Sequence, residues 1–335
     1  MRSLIATAVA AAVPAASVQV EAPTFLQVVP SGAQVQTVAE GFTWAEGPVW
    51  VATGSYLLLS DVPANRMYRW VPGEKAARVF MEPSGAADTK GLREPGTNGL
   101  KAGLKGSILA ADSGDRAIVL IDLATKSKRV LGDRFDGKRF NSPNDIAVGP
   151  DGAIWFTDPP YGLDGIDDSP LKEQAANRVY RLAPDGSLTA VESKLRFPNG
   201  IAFSPDGRTL YVSNSDPKNA VILAWDVSPD GKLSRRRVFA DMNPLVAKGL
   251  PGLPDGMCID QRGDLWASGP GGIHILAPDG KELGLISRDV AISNCMFGGP
   301  DGHTIYMTST HDLLALQTKV RAAPVRLPKL ANVHR

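Results

Sequence analysis

Six residues with side-chain oxygens recur in phase along this chain: Glu46, Asn98, Asn144, Asn199, Asp255 and Asn294. Each is followed eight positions later by a glycine, namely Gly54, Gly106, Gly152, Gly207, Gly263 and Gly302. If the fold brings the six together, two carboxylates and up to four amide oxygens face one small space. Glu46 and Asp255 would then repel each other and raise each other's pKa. A hard divalent cation relieves that repulsion, because Ca²⁺ and Mg²⁺ take carboxylate and carbonyl oxygen. Ligation by imidazole or thiolate is disfavoured. His274, His303, His311 and His334 are scattered, no HExxH occurs, and Cys258 and Cys295 are out of phase with the repeat. Any one Asn or Asp so placed could be turn chemistry alone. Six in phase, two of them acidic, point to a metal-binding ring.

The elements that must position these residues follow from the same period. Successive leading residues are separated by 52, 46, 55, 56 and 39 positions, each opening a short apolar run and, past the glycine, an alternating strand. In the third unit, Asn144 opens a first strand, Pro150-Asp151-Gly152 turns it, and Ile154 to Thr157 returns antiparallel. Strands at 178–182 and 188–191 complete four. Four-stranded antiparallel units repeated six times predict an all-β fold, a six-bladed β-propeller. The last unit is one strand short, and 34–39 (QVQTVA) is its natural fourth strand, closing the ring and covering an exposed edge. The innermost strands line a central channel, so the six leading residues gather at one of its mouths. Loops returning to that mouth carry Tyr161 and His311, candidate contacts for a bound molecule together with Asn98.

Bulk properties narrow the partners. The chain has 335 residues, 43% of them hydrophobic, with 36 basic and 35 acidic side chains and a net charge of +1. That balance gives no electrostatic case for nucleic acid or an anionic membrane. Arg2 followed by the apolar, alanine-rich stretch 4–13 and the small-residue site Val13-Pro14-Ala15 reads as a cleavable export signal. The expected division is therefore a leader and tail over 1–22, a propeller over 23–320 and a basic C-terminal tail over 321–335, with the mature protein periplasmic or secreted. Cys258 and Cys295, at different offsets on different blades, are expected to be free, buried thiols at different depths.

The stretches AEGPVW (45–50), NSPND (141–145), FTDPPYGL (156–163), FPNGIAFSPDG (197–207), LPDGMCID (253–260) and SNCMFGG (293–299) resemble those of the SMP-30/gluconolactonase/LRE family, and its bacterial gluconolactonase branch most. The resemblance covers roughly 38–310. It implies that Glu46, Asn199 and Asp255 hold one divalent metal, Ca²⁺ foremost with Mg²⁺, Mn²⁺ or Zn²⁺ as alternatives. Asn144 would lie beside it, on metal or substrate. It also implies hydrolysis of a small cyclic ester, a sugar lactone. A hard cation acidifies water less than Zn²⁺ does, so a general base is needed. Asp255 is the first candidate and Glu46 the second.

Two departures bear on substrate identity. Ser142 stands where regucalcin-type members carry an arginine, so that the arginine's hold on substrate either has no counterpart or passes to Arg139. Asp112-Ser113 replaces a Glu-His found in relatives. A serine esterase is unsupported, since no GxSxG occurs. The rivals are a phosphotriesterase-like hydrolase on the same metal and a non-catalytic calcium- or sugar-binding propeller. An interaction scaffold would not need two acids at the mouth.

Overall fold

The computed structural model describes residues 16–330. Six sheets form the blades of a propeller, each ordered from an inner to an outer strand. The inner strands are Ala45–Val51, Thr97–Ala102, Ile146–Val148, Pro198–Phe203, Met257–Ile259 and Asn294–Gly298, and each packs on the next until the last meets the first. Gln36–Glu40 pairs antiparallel with Asp312–Gln317 as the outer strand of the sixth blade, so the ring is closed by the N-terminal strand as the sequence predicts.

The core is divided among the blade interfaces. Six apolar clusters are present among the described residues, one between each pair of neighbouring blades. Strand periodicity explains this. In Ser107–Asp112, Ile108 and Ala110 face the first blade while Leu109 and Ala111 face the third. Successive side chains point to opposite faces, and both faces are buried, so these strands read as nearly continuous apolar runs.

The glycine eight positions after the leading residue has a left-handed φ in five of the six hairpins, for example Gly152 at 85° and Gly263 at 91°. The first blade differs. Gly54 ends a short 3-10 turn, and Ser55 takes the left-handed conformation with φ 50°.

One expectation, at the N-terminus, needs correction. Residues 17–22 were expected outside the fold, yet Ser17–Val20 pairs with Glu282–Ser287 as a fifth strand of the fifth blade. Phe25, which follows, is fully buried in the cluster between blades five and six. The signal-like stretch 4–13 and its cleavage site lie outside the described residues. The C-terminal tail packs on the blades: the Lys329 amide donates to the Gly152 carbonyl at 2.9 Å and Arg326 donates to the Pro205 carbonyl.

The cysteines are free and buried. Their expected separation in depth is wrong, since the Cys258 thiol lies beside that of Cys295 across the blade boundary. Burial first, and that neighbour second, push it well above a free thiol's range.

Candidate active site

The six leading residues gather because the residue after four of them is glycine. A Cβ on Gly47 would sit 2.1 Å from the Asn98 carbonyl oxygen, and one on Gly200 would sit 2.2 Å from that of Asp255. One on Gly99 would meet Asn144 and Asp145, and one on Gly256 the Asn294 amide. Each glycine thus lets its strand close on the leading residue of the next blade. A second periodic device reinforces the approach. The hydroxyls of Ser60, Thr157 and Ser213, near the ends of the second strands, donate to the carbonyls of Asn98, Asn199 and Asp255 at 2.8, 2.6 and 2.8 Å. Both signals stand in the sequence beside the +8 glycine, as Gly at offset +1 in four repeats and as the pairs Ser60-Asp61, Thr157-Asp158 and Ser213-Asn214 in three.

A cavity of about 610 Å³ opens at this mouth, lined by Glu46, Asn98, Asn144, Asn199 and Asp255, with Tyr161 on its wall. Asn294 lies just behind: its Nδ2 donates to Glu46 Oε2 at 3.3 Å and its Oδ1 accepts from the Cys295 amide at 2.8 Å. It orients Glu46, whose Oε2 also accepts from the Gly47 amide at 3.0 Å. Tyr161 stacks on Phe197 with ring centroids 5.3 Å apart, and burial raises its phenol far above its usual range. His311 does not join this group. It is exposed on the rim, its Nδ1 bonded to the Phe42 carbonyl at 2.8 Å, and it is not among the cavity's lining residues.

The loop 82–97 adds two residues that sequence reasoning missed, Arg93 and Glu94. Only the general rule that rim loops carry function pointed there. Of the two alternatives for the missing arginine, loss of its contact or replacement by Arg139, the second is not met: Arg139 is not among the cavity's lining residues and donates to the Asp115 carbonyl. Ser142 is a loop pin: its hydroxyl donates to the Pro159 carbonyl at 2.7 Å and accepts from the Gly162 amide at 2.8 Å. Asp112 pairs with Lys128 at 2.6 Å, and Ser113 donates to the Pro143 carbonyl at 2.7 Å, fixing the approach to Asn144.

The electrostatics are those of a site short of positive charge. Burial pushes Glu46 up to about 7, assisted by the nearby charges of Asp145 and Glu94. Glu94 is likewise pushed to about 7 by burial, with Arg93 opposing. Asp255 is raised well above the carboxylate range, by burial first and then by Glu46, Asp145 and Glu94. Asn98 Oδ1 is buried and accepts no hydrogen bond. No cluster of three or more His, Cys, Asp or Glu side chains suited to a metal is present among the described residues, so a cation here would draw on amide oxygens as well as carboxylates. The donor set, two carboxylates among amides with one acceptor left open, fits a hard divalent ion.

A six-bladed propeller with an oxygen-lined pocket at one channel mouth defines a class, and comparison with known proteins gives it a family. The model of the SMP-30/gluconolactonase/LRE-like region matches residues 44–311, and the chain belongs to this family. A gluconolactonase from Zymomonas mobilis is 46% identical over 291 residues, 85% of this chain and 81% of the relative. A pentonolactonase from Haloferax volcanii is 29% identical over 79% of this chain and 80% of its own length. The solved structure of a gluconolactonase from Xanthomonas campestris, 33% identical, superposes with a TM-score of 0.77 over 93% of this chain and 98% of the other.

Proposed function

We propose that this protein is a divalent-metal-dependent lactonase that opens a sugar lactone at the mouth lined by Glu46 and Asp255. One observation carries the reading: both carboxylates and the open acceptor of Asn98 converge on one cavity in a chain 46% identical to a gluconolactonase. Glu46, Asn199 and Asp255 would hold the ion, with Asn144 beside them. When bound, the ion supplies Lewis acidity at the lactone carbonyl. The protein's own groups do the rest. Asn98 and Asn144 orient the attacking water and the substrate hydroxyls. Asp255 takes the proton from that water. Tyr161 and Trp44 shield the ring from bulk water. As the ester C–O bond breaks, Asp255 returns that proton to the departing alkoxide oxygen, and the product is a hydroxy-acid.

Chelation is expected to abolish turnover of D-glucono-1,5-lactone, with Ca²⁺, Mn²⁺, Mg²⁺ or Zn²⁺ restoring it to different degrees. Hydrolysis undiminished by EDTA and by Asp255→Ala would sink the mechanism. A panel of aldonolactones, aromatic lactones and phosphotriesters separates this reading from a phosphotriesterase. We also propose that the mature protein lies outside the cytoplasm: Arg2, the apolar stretch 4–13 and Val13-Pro14-Ala15 have the pattern of a cleavable signal, and cleavage there would leave the Ser17–Val20 strand intact. Fractionation followed by N-terminal sequencing checks it, and an uncleaved cytoplasmic chain would refute it.

A further inference from the structure

The cavity holds three carboxylates and one cation. Arg93 is the only basic side chain among the described residues lining it, and it pairs with Glu94 at 3.2 Å. The backbone that carries the pair is held in place. Both backbone amides, Arg93 and Glu94, donate to the Gly162 carbonyl at 2.9 and 3.2 Å. Leu92 bridges to Leu163 beside them, and the Asp164 amide donates to the Gly91 carbonyl at 3.0 Å. On the far side the Ala86 amide donates to the Pro95 carbonyl at 2.8 Å. Gly85 and Gly114 press so close to that carbonyl that a Cβ on either would stand 2.0 or 1.8 Å from its oxygen. The loop carrying Arg93 and Glu94 is therefore locked to the loop carrying Tyr161, and the pair faces the cavity from a fixed position.

A carboxylate accepts from two hydroxyls, and a guanidinium donates to the oxygens of the same hydroxyls. Trp44, Pro63, Leu253 and Ile292, which line the same cavity, offer apolar surface to C–H groups. We propose that Arg93 and Glu94 are the specificity-determining residues of this site, reading the hydroxyl groups of a polyhydroxylated lactone and so selecting it over a lactone of the same ring size without hydroxyls. The proposal rests on the lactonase reading above and assigns Arg93 the position expected of Arg139. Neither residue takes part in bond cleavage. They act by binding, and a site built to hydrogen-bond hydroxyls rejects the analogue lacking them.

The test compares D-glucono-1,5-lactone with δ-valerolactone, the latter read as substrate or, where turnover is slow, as competitive inhibitor. Glu94→Gln keeps side-chain length and Arg93→Met keeps an unbranched stem without the guanidinium, and the 51% exposure of the Arg93 side chain makes misfolding of its variant easy to exclude by circular dichroism. For gluconolactone each variant is expected to lower kcat/KM by about 10- to 100-fold, mainly through KM, in line with the loss of specific hydrogen bonds. For δ-valerolactone the kcat/KM or Ki is expected to stay within about threefold, since it has no hydroxyl for either residue to bind. Equal losses on both lactones, no loss on either, or a loss confined to kcat would each overturn the proposal while leaving the lactonase reading intact. A wild-type protein that hydrolyses no lactone would overturn both.

Discussion

The two mouths of one channel are built by the same six strands and have opposite chemistry. Each opens into a cavity of about 610 Å³. At one end Glu46, Asn98, Asn144, Asn199 and Asp255 turn oxygen inward. At the other, Val49, Val51, Ile108, Val148, Phe203 and Phe297 line the wall, and residues 322–327 of the tail close over it. A single strand, Ala45–Val51, contributes Glu46 to the first and Val49 to the second. The tail is held there by the Gln261 amide on the Arg321 carbonyl at 2.9 Å and the Ala323 amide on the Ile259 carbonyl at 3.0 Å. A propeller channel is thus not a uniform tube. Burial at the apolar end stabilises the ring, while the polar end keeps poorly solvated carboxylates together at a cost that a cation can offset.

Substitutions at the two ends should separate activity from stability. Asp255→Ala is expected to lower kcat about 10²- to 10⁴-fold, the range for loss of a general base, with near-unchanged secondary structure. Steady-state kinetics on gluconolactone check it. Phe297→Ala at the opposite mouth should do the reverse. Phe297 is 4% exposed and meets Trp266 edge-on at 5.3 Å, so its truncation should cost about 3–5 kcal/mol of stability. In denaturant titrations its midpoint should fall, while kcat/KM per folded molecule stays close to that of the wild type. A loss of activity as large as that of Asp255→Ala would dissolve the distinction.

A pH series sharpens the comparison. Burial holds Glu46 and Glu94 at about 7, against 4.5 for a free glutamate. Folded pKa values above the unfolded ones mean that this contribution to stability is fully present below about pH 4.5. It is lost as pH rises through about 7. The metal-free protein should therefore show a higher urea midpoint at pH 5 than at pH 8, and a saturating divalent cation should flatten or reverse the slope. The smallest effect belongs to His311→Ala: its ring only caps the Phe42 carbonyl, and kcat/KM should change less than about twofold, as for a surface residue.

The sequence made the architecture legible because the period of leading residue and glycine is long, regular and tied to hairpin geometry. It disclosed Glu46, Asn144, Asn199 and Asp255 as one group, since a repeat places equivalent residues at equivalent points of a ring. What it hid lies outside the repeat. Arg93 and Glu94 sit in an irregular loop, where no period fixes the direction of a side chain. Arg139 was one of two alternatives for the missing arginine's role, and only the fold shows that it donates to the Asp115 carbonyl. The N-terminal boundary failed for a related reason. The strand Ser17–Val20 and the buried Phe25 adjoin an apolar leader-like run, and hydrophobicity alone does not divide the two. Offset counting misjudged the cysteines, whose thiols meet across the blade boundary despite their unequal offsets.

The central claim is that the oxygen-lined mouth binds one divalent cation through Glu46 and Asp255. Calorimetric titration of metal-depleted protein with Ca²⁺ tests it without any assay of turnover. One ion per chain is expected for the wild type and for Phe297→Ala, with binding weakened at least about tenfold in Glu46→Gln and Asp255→Asn, as expected when one carboxylate ligand is neutralised. Unchanged affinity in both carboxylate variants, or no binding of any divalent cation by the folded wild-type protein, would contradict it.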